Sequence, residues 1–200
     1  MATTAMTDIE NRIRDEEAGT IFMTGDFSDI TSLTTARKCL GRLVDKGLIR
    51  RVMDGVYEKP KYSSFLKEYV PTSPEKVAYS IARNYHWSIA PCGDVALNKL
   101  GLSTQIPTVW SYISDGPYRE FSYDGTKLAF KHRTNRDVSQ MSELTIMVIE
   151  ALKTIGKDRV TEKTVQTLSQ RLPDSEKALI LKEASDSAEW IYEVIRKVCS

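Results

Sequence analysis

Two groups of residues have types and spacings that some enzymes use for nucleophilic chemistry. Ser64-Phe65-Leu66-Lys67 fits the Ser-x-x-Lys pattern of certain acyl-transfer enzymes, and Cys92 with His86 would supply a thiol and a base. The first pattern lacks the Ser-Asp-Asn and Lys-Thr-Gly strings that accompany it in those enzymes. A solitary cysteine is more often a small buried apolar residue than a nucleophile. The sequence therefore predicts no catalytic residues.

The sequence also has few residues that could bind a metal or a cofactor. The three cysteines, Cys39, Cys92 and Cys199, lie far apart, and only two histidines could join them as ligands. The sequence has no phosphate-binding loop, no dinucleotide fingerprint and no Asp-x-Asp pair for magnesium. We therefore expect no metal and no cofactor.

The composition indicates a globular protein of the cytoplasm. The chain has 200 residues, of which 41% are hydrophobic and 28% are charged, and its net charge is +1. No apolar run is long enough to span a membrane, and the acidic N-terminal segment does not resemble a signal peptide. Unpaired cysteines fit a reducing compartment.

The distribution of charge is more informative than its total. Residues 8–29 carry seven acids and two arginines, a net charge of −5, whereas residues 37–61 carry eight bases and three acids, a net charge of +5. Such asymmetry within one short segment suggests a basic face that could attract nucleic acid. The alternative is a surface on which these charges cancel in space.

The elements predicted over residues 1–62 would position these bases for DNA. Thr7 and Glu10 form a capping box that would open a first helix, with Ile9 and Ile13 on its buried face. Thr31 or Ser32 would cap a longer helix through Lys46, and Asp54-Gly55 marks a hairpin between two strands. The buried face predicted for the longer helix comprises Leu33, Ala36, Leu40, Leu43 and Val44. This order of helices and hairpin predicts a winged helix-turn-helix.

The face opposite that apolar stripe supplies the candidate DNA-binding residues. The helix offers Thr34, Thr35, Lys38 and Arg42, with Arg37 at the margin. The hairpin would bring Arg50, Arg51 and Lys59 to the flanking phosphates. The competing interpretation is a winged helix that binds protein.

Residues 63–200 are predicted to form a second α+β domain. Ser73-Pro74-Glu75 opens a helix, a small antiparallel sheet follows, and the chain is helical from about residue 139. The last helix has a broad apolar face around Trp190 and Ile195. We expect most of that face to pack in the core, against the helix around Val148.

Two strings resemble the AbiEi-type antitoxins, regulators from abortive-infection toxin–antitoxin operons. They are Arg42–Arg51 with Gly55–Pro60, and Leu97-Asn98-Lys99-Leu100-Gly101-Leu102-Ser103-Thr104-Gln105-Ile106-Pro107. The resemblance implies a winged helix that represses its own operon by binding inverted repeats of double-stranded DNA. It also implies a remainder that counteracts a nucleotidyltransferase-like toxin, directly or functionally. The wing positions that it implies are Arg50, Arg51, Tyr57 and Lys59.

The resemblance assigns no role to the second string. From the residues alone, Gly101 caps a helix and Pro107 starts a strand, while Asn98, Thr104 and Gln105 anchor a loop by hydrogen bonds. A partner-binding role for this string is the alternative.

Two other functions remain open at this stage. The protein could be a stand-alone repressor whose second domain senses a small ligand, or a protein–protein adaptor with no role on DNA. A gel shift with the protein's own promoter separates the adaptor from the other two.

Overall fold

The structure is a computed structural model that describes residues 4–134 and 138–200. Its internal contacts divide the chain into two α+β units. The first comprises the described residues up to His86 together with Ser122–Gly125, and the second comprises Trp87–Phe121 and Thr126–Ser200. Within the described ranges, no helix is both long enough and apolar enough to cross a membrane.

The first unit is built around a three-stranded antiparallel sheet, in which the strand Val56–Glu58 lies between the strands Ile21–Met23 and Arg50–Met53. A 3₁₀-helix at Thr24–Phe27 lies between the first strand and the second helix. The elements in chain order are α1 (Ala5–Asp15), β1 (Ile21–Met23), α2 (Leu33–Asp45), β2 (Arg50–Met53), β3 (Val56–Glu58), β4 (Tyr62–Ser63), β5 (Glu68–Tyr69) and α3 (Pro74–Tyr85).

Local signals account for the ends of α1 and α2. The Ser32 hydroxyl accepts a hydrogen bond from the Thr35 amide, and this caps α2 as the sequence predicts. The cap of α1 was predicted at Thr7, but it is Thr4, whose hydroxyl accepts from the Thr7 amide. The capping-box prediction is therefore wrong by three residues, because an earlier threonine offers an equivalent cap.

The core of this unit forms where α1 and α2 meet the sheet. Its fully buried side chains include those of Ile9, Ile13, Phe27, Leu40 and Leu43. Burial of each such side chain contributes roughly 1.5–3 kcal/mol. The apolar face predicted for α1 is confirmed, and the face predicted for α2 is confirmed except at its first residue.

That exception is Leu33, the first residue of α2. Its side chain is 51% exposed instead of buried. The buried stripe of α2 begins one turn later, at Ala36. Spacing alone placed Leu33 on the apolar face, but the first turn of α2 extends past the edge of the core.

A short hairpin that the sequence analysis did not predict follows the sheet. It is formed by β4 and β5, whose register pairs Tyr62 with Tyr69 and Ser63 with Glu68. The two tyrosine rings meet edge to face, with centroids 5.4 Å apart. At the tip, Phe65 is 91% exposed.

Helix α3 packs against β1 within the same unit. Lys76 donates to the Gly19 carbonyl at 3.0 Å, and Arg83 donates to Asp26 at 2.8 Å. The division of contacts therefore falls near residue 86, and not at residue 62 where the sequence placed a domain boundary.

The second unit combines a four-stranded sheet with a group of helices. The elements are β6 (Ile89–Pro91), α4 (Gly93–Lys99), β7 (Val109–Ser114), β8 (Arg119–Tyr123), β9 (Thr126–His132), α5 (Glu143–Ile155), α6 (Glu162–Arg171), α7 (Asp174–Glu183) and α8 (Glu189–Cys199).

The sheet is mixed, and the prediction of an antiparallel sheet is wrong. Strand order is β6-β7-β9-β8, with β6 antiparallel to β7 but β7 parallel to β9. The chain passes from β7 to the edge strand β8 and returns as β9 between them. Asp124 and Gly125 form the turn between β8 and β9.

The helices of this unit share one core with α4. Leu152, Leu168, Ile180, Ile191 and Ile195 are fully buried there. Trp190 and Val194 pack partly buried against it, as expected for the apolar face of the last helix.

Candidate nucleic-acid interface

The exposed side of α2 carries a compact set of polar and basic side chains. The Ser32 cap leaves the first turn with Leu33, Thr34 and Thr35 exposed. Lys38 and Arg42 follow on the same helix, and both are exposed. Because residues four apart share one face of a helix, these two cations lie one turn apart along it.

Within the described residues, no protein group pairs with the cations on this face. Across residues 4–134 and 138–200, no hydrogen bond or ion pair involves the side chain of Arg37, Lys38 or Arg42. The Thr35 hydroxyl accepts a hydrogen bond from Ser32 at 3.1 Å, so it retains a donor for an outside group. The α2 face is therefore a surface of unneutralised positive charge.

Three of the seven acids of residues 8–29, Glu10, Asp26 and Asp29, are paired with cations within the unit. Glu10 accepts from Arg14 at 2.7 Å and from Lys46 at 3.0 Å, and these hydrogen bonds hold the pKa of Glu10 below its ordinary value. Asp29 pairs with Arg12, whose hydrogen bond likewise lowers the pKa of Asp29. The charge asymmetry of the sequence is thus partly resolved by pairs around α1, while the outer face of α2 keeps its charge.

Arg50 is partly buried and is hydrogen-bonded to groups of its own unit. Its Nε donates to Glu58 Oε2 at 2.5 Å, and its terminal nitrogen donates to the Val70 carbonyl at 3.1 Å and to the Thr72 hydroxyl at 2.8 Å. The Thr72 hydroxyl in turn donates to Glu58 at 2.8 Å. Because Glu58 is only 3% exposed, Arg50 serves mainly to compensate a buried carboxylate.

Lys59 and Tyr57 also make contacts within the unit. Lys59 donates to the Arg14 and Glu16 carbonyls, both at 2.6 Å, which closes the end of α1. Tyr57 is buried. Arg50, Lys59 and the Tyr57 ring therefore all make contacts within the unit, and their role as wing positions stays a prediction.

Arg51 is the hairpin cation that stays accessible. Its side chain is 56% exposed, and its guanidinium lies 5.7 Å from the centroid of the Tyr57 ring. A hydrogen bond to the Tyr57 hydroxyl raises the pKa of Arg51, and Asp54 lies 3.6 Å away. The ring orients the guanidinium without removing its charge.

The Leu97–Pro107 string forms an ordered loop after α4. The Asn98 amide donates to the Ser103 and Gln105 carbonyls at 3.4 and 3.1 Å. Gly101 has a φ of +70°, and a Cβ there would stand 2.9 Å from the Arg171 Nε. Asn98 and Gly101 thus have the structural roles that the sequence predicts, and Pro107 is buried just before β7.

Thr104 and Gln105 differ from that expectation. Thr104 is exposed, and across the described ranges its side chain makes no hydrogen bond. Gln105 takes part through its backbone, whose amide donates to the Ser103 hydroxyl at 3.2 Å. The prediction that the Thr104 side chain anchors the loop is wrong.

The cysteine first considered for catalysis is buried. Burial raises the pKa of the Cys92 thiol to about 11, so the thiolate is scarce at neutral pH. Ser64 is exposed near the tip of the β4–β5 hairpin. In the part of the chain that the structure describes, no three His, Cys, Asp or Glu side chains group as metal ligands.

Comparison with known proteins places the chain in a family. It is an α+β protein, and a model described as "Family of unknown function (DUF6088)" matches residues 8–180. The chain therefore belongs to that family. No curated protein matches it. It is similar to the crystal structure of the RV2827C protein from Mycobacterium tuberculosis, with a TM-score of 0.48 and 12% identity, over 100% of this chain and 77% of that one.

Proposed function

We propose that the first unit is a winged helix-turn-helix that binds double-stranded DNA with α2 in the major groove. The order helix, strand, 3₁₀-helix, helix and hairpin supports this assignment, because it supplies an exposed helix beside a two-stranded hairpin. The observation that carries the proposal is the outer face of α2, where Arg37, Lys38 and Arg42 are exposed and unneutralised.

The residues of this face divide into two roles. Leu33, Thr34 and Thr35 are small or apolar enough at the helix start to approach base edges, and their methyl groups suit contact with thymine. Lys38 and Arg42 reach phosphates or guanine edges further along the groove. Arg51, oriented by the Tyr57 ring, contacts the flanking phosphates.

The biological setting of the proposal comes from the antitoxin resemblance. In that setting, the protein is a cytoplasmic repressor of its own toxin–antitoxin operon, binds inverted repeats there as two monomers, and has no catalytic activity of its own. The second unit counteracts a nucleotidyltransferase-like toxin, by contact or functionally. The Leu97–Pro107 loop supports this part of the proposal through its sequence alone.

Quantitative binding to the protein's own promoter tests the DNA-binding proposal. Fluorescence anisotropy should show tighter binding to the promoter duplex than to a shuffled duplex of equal length, and footprinting should protect inverted repeats. Arg42→Ala should weaken promoter binding by about 1–3 kcal/mol and relax specificity at one base position. Lys163→Ala, which removes an exposed cation of the second unit, is the matched control. Equal affinity for both duplexes would refute specific recognition.

Growth rescue tests the antitoxin part separately. The adjacent gene is expressed with this chain from a foreign promoter, so that repression plays no part in the result. Protection from toxicity supports the proposal. A toxic neighbouring gene that the full-length chain fails to counteract would refute it while leaving DNA binding intact.

A further inference from the structure

Helix α2 has a glycine in its interior. Gly41 lies two turns after Leu33 and one turn before Asp45, and its φ is not positive. Glycine is a poor residue for a helix interior, because it loses more backbone freedom on folding than any other residue. Helix formation therefore does not account for a glycine at this position.

Close packing within the protein does not account for it either. Glycine is required inside a helix where another group comes so near that a side chain would clash. At Gly41, apart from its two chain neighbours and the backbone of α2, no atom of the described residues lies within 4 Å of where a Cβ would stand. Gly116 shows the contrast, since a Cβ there would overlap the Trp87 ring. The space beside Gly41 is therefore open to a group that approaches α2 from outside.

Cations surround this open space. Arg37 and Lys38 precede Gly41 by one turn, so they lie on the same side of α2. Arg42 follows directly, and all three cations are exposed and unpaired within the described residues. Asp45 is an exposed carboxylate one turn after Gly41, and the cationic part of this side of α2 ends there. The charges beside Gly41 thus fit an anionic partner.

We propose that the sugar–phosphate backbone of one DNA strand lies directly against α2 at Gly41. The inference rests on the proposed binding of DNA by the first unit. With only hydrogen atoms at this position, the strand comes close enough to the helix for Arg37 and Lys38 to reach its phosphates. The base edges are contacted by the first turn of α2, as is usual for a recognition helix. A side chain at position 41 would hold the strand away.

Gly41→Ala and Gly41→Leu test this contact, because they should stabilise the protein and weaken its binding at the same time. Both residues favour helix and the space is open, so the melting temperature of Gly41→Ala should rise by about 2–4 °C. In anisotropy titrations, its affinity for the promoter duplex should fall about tenfold, because a methyl group would be forced into a close contact. Gly41→Leu should bind more weakly still. Gln166→Leu, which adds an exposed leucine to α6, is the matched control and should bind as tightly as the unsubstituted protein.

The shuffled duplex shows which part of the DNA meets Gly41. A contact with the sugar–phosphate backbone should make Gly41→Ala weaken binding to both duplexes by the same factor. A loss confined to the promoter duplex would place a base edge there and overturn the assignment to the backbone.

Two other results would overturn the inference while leaving DNA binding by the first unit intact. One is promoter binding by both Gly41 variants that is as tight as that of the unsubstituted protein. The other is a lower melting temperature of Gly41→Ala, which would show that the fold itself requires the glycine. Failure of the unsubstituted protein to bind the promoter would instead refute the proposed function, and this inference with it.

Discussion

The double substitution Lys38→Ala/Arg42→Ala tests the DNA interface most directly. We assign four exposed cations of the first unit to phosphates: Arg37, Lys38 and Arg42 on α2, and Arg51 on the hairpin. Each phosphate that a protein neutralises adds about 0.9 to the slope of log affinity against log salt. The unsubstituted protein should therefore have a slope of about −3.6 per bound unit, and the double variant about −1.8.

Anisotropy titrations between about 50 and 200 mM salt would resolve this difference. Over that fourfold range, the slopes correspond to losses of affinity of about 150-fold for the unsubstituted protein and about 12-fold for the variant. Because both side chains are exposed, the free energy of unfolding should change by less than about 0.5 kcal/mol. Lys163→Ala/Arg196→Ala removes the same charge from the second unit and should keep the original slope.

Two outcomes would refute this reasoning in different ways. An unchanged slope in the double variant would exclude α2 as the phosphate-binding helix. A slope near −5.4 in the unsubstituted protein would mean that six cations reach phosphates. Two further cations would then have to reach phosphates, either other exposed ones such as Lys61 or Arg50 and Lys59 after release from their hydrogen bonds.

Three further substitutions test single features of the structure. Arg50→Ala leaves Glu58 buried without a cation, so urea denaturation should show a loss of about 3–5 kcal/mol while the salt slope of the folded variant is unchanged. Tyr123 has a buried hydroxyl without a hydrogen-bond partner across the described ranges, so Tyr123→Phe should stabilise the protein by about 1 kcal/mol. Burial raises the pKa of Tyr123 from 10.0 to about 12, so the unsubstituted protein should lose stability as pH rises across that interval, and Tyr123→Phe should not show this loss. Glu183→Gln should lower the free energy of unfolding by about 1.5–3 kcal/mol at pH 7. Because the pKa of Glu183 is lowered from 4.5, the melting temperatures of the two proteins should converge as pH falls below that value. A constant difference across that pH range would show that the Glu183 carboxylate is not responsible.

Elements with strong local signals were predictable from the sequence. The helix from Ser32 to Lys46 has a cap and a regular apolar stripe, and Asp54-Gly55 specifies its hairpin within a few residues. These signals need no partner distant in the chain. They also give the exposed positions of the α2 face, which depend only on helix periodicity.

The hydrogen-bond partners of individual side chains could not be predicted in the same way. Arg50 finds Val70 and Thr72, twenty or more positions away, and Lys59 finds the end of α1. Sequence shows that such residues are charged, but not whether the fold supplies a buried partner. The parallel pairing of β7 with β9 is likewise decided by where β9 inserts, which no local pattern encodes.

The β4–β5 hairpin determines where a protease should cleave the folded chain first. Its two strands share only two residue pairs, and Phe65, the bulky aromatic residue that chymotrypsin prefers, stands at its tip. Limited digestion should therefore cut there first and separate the α2-bearing segment from α3 and everything after it. The hydrogen bonds of Lys76 and Arg83 to residues before the cut would keep the two fragments together. The nicked molecule should elute as one species under native conditions and as two under denaturing ones.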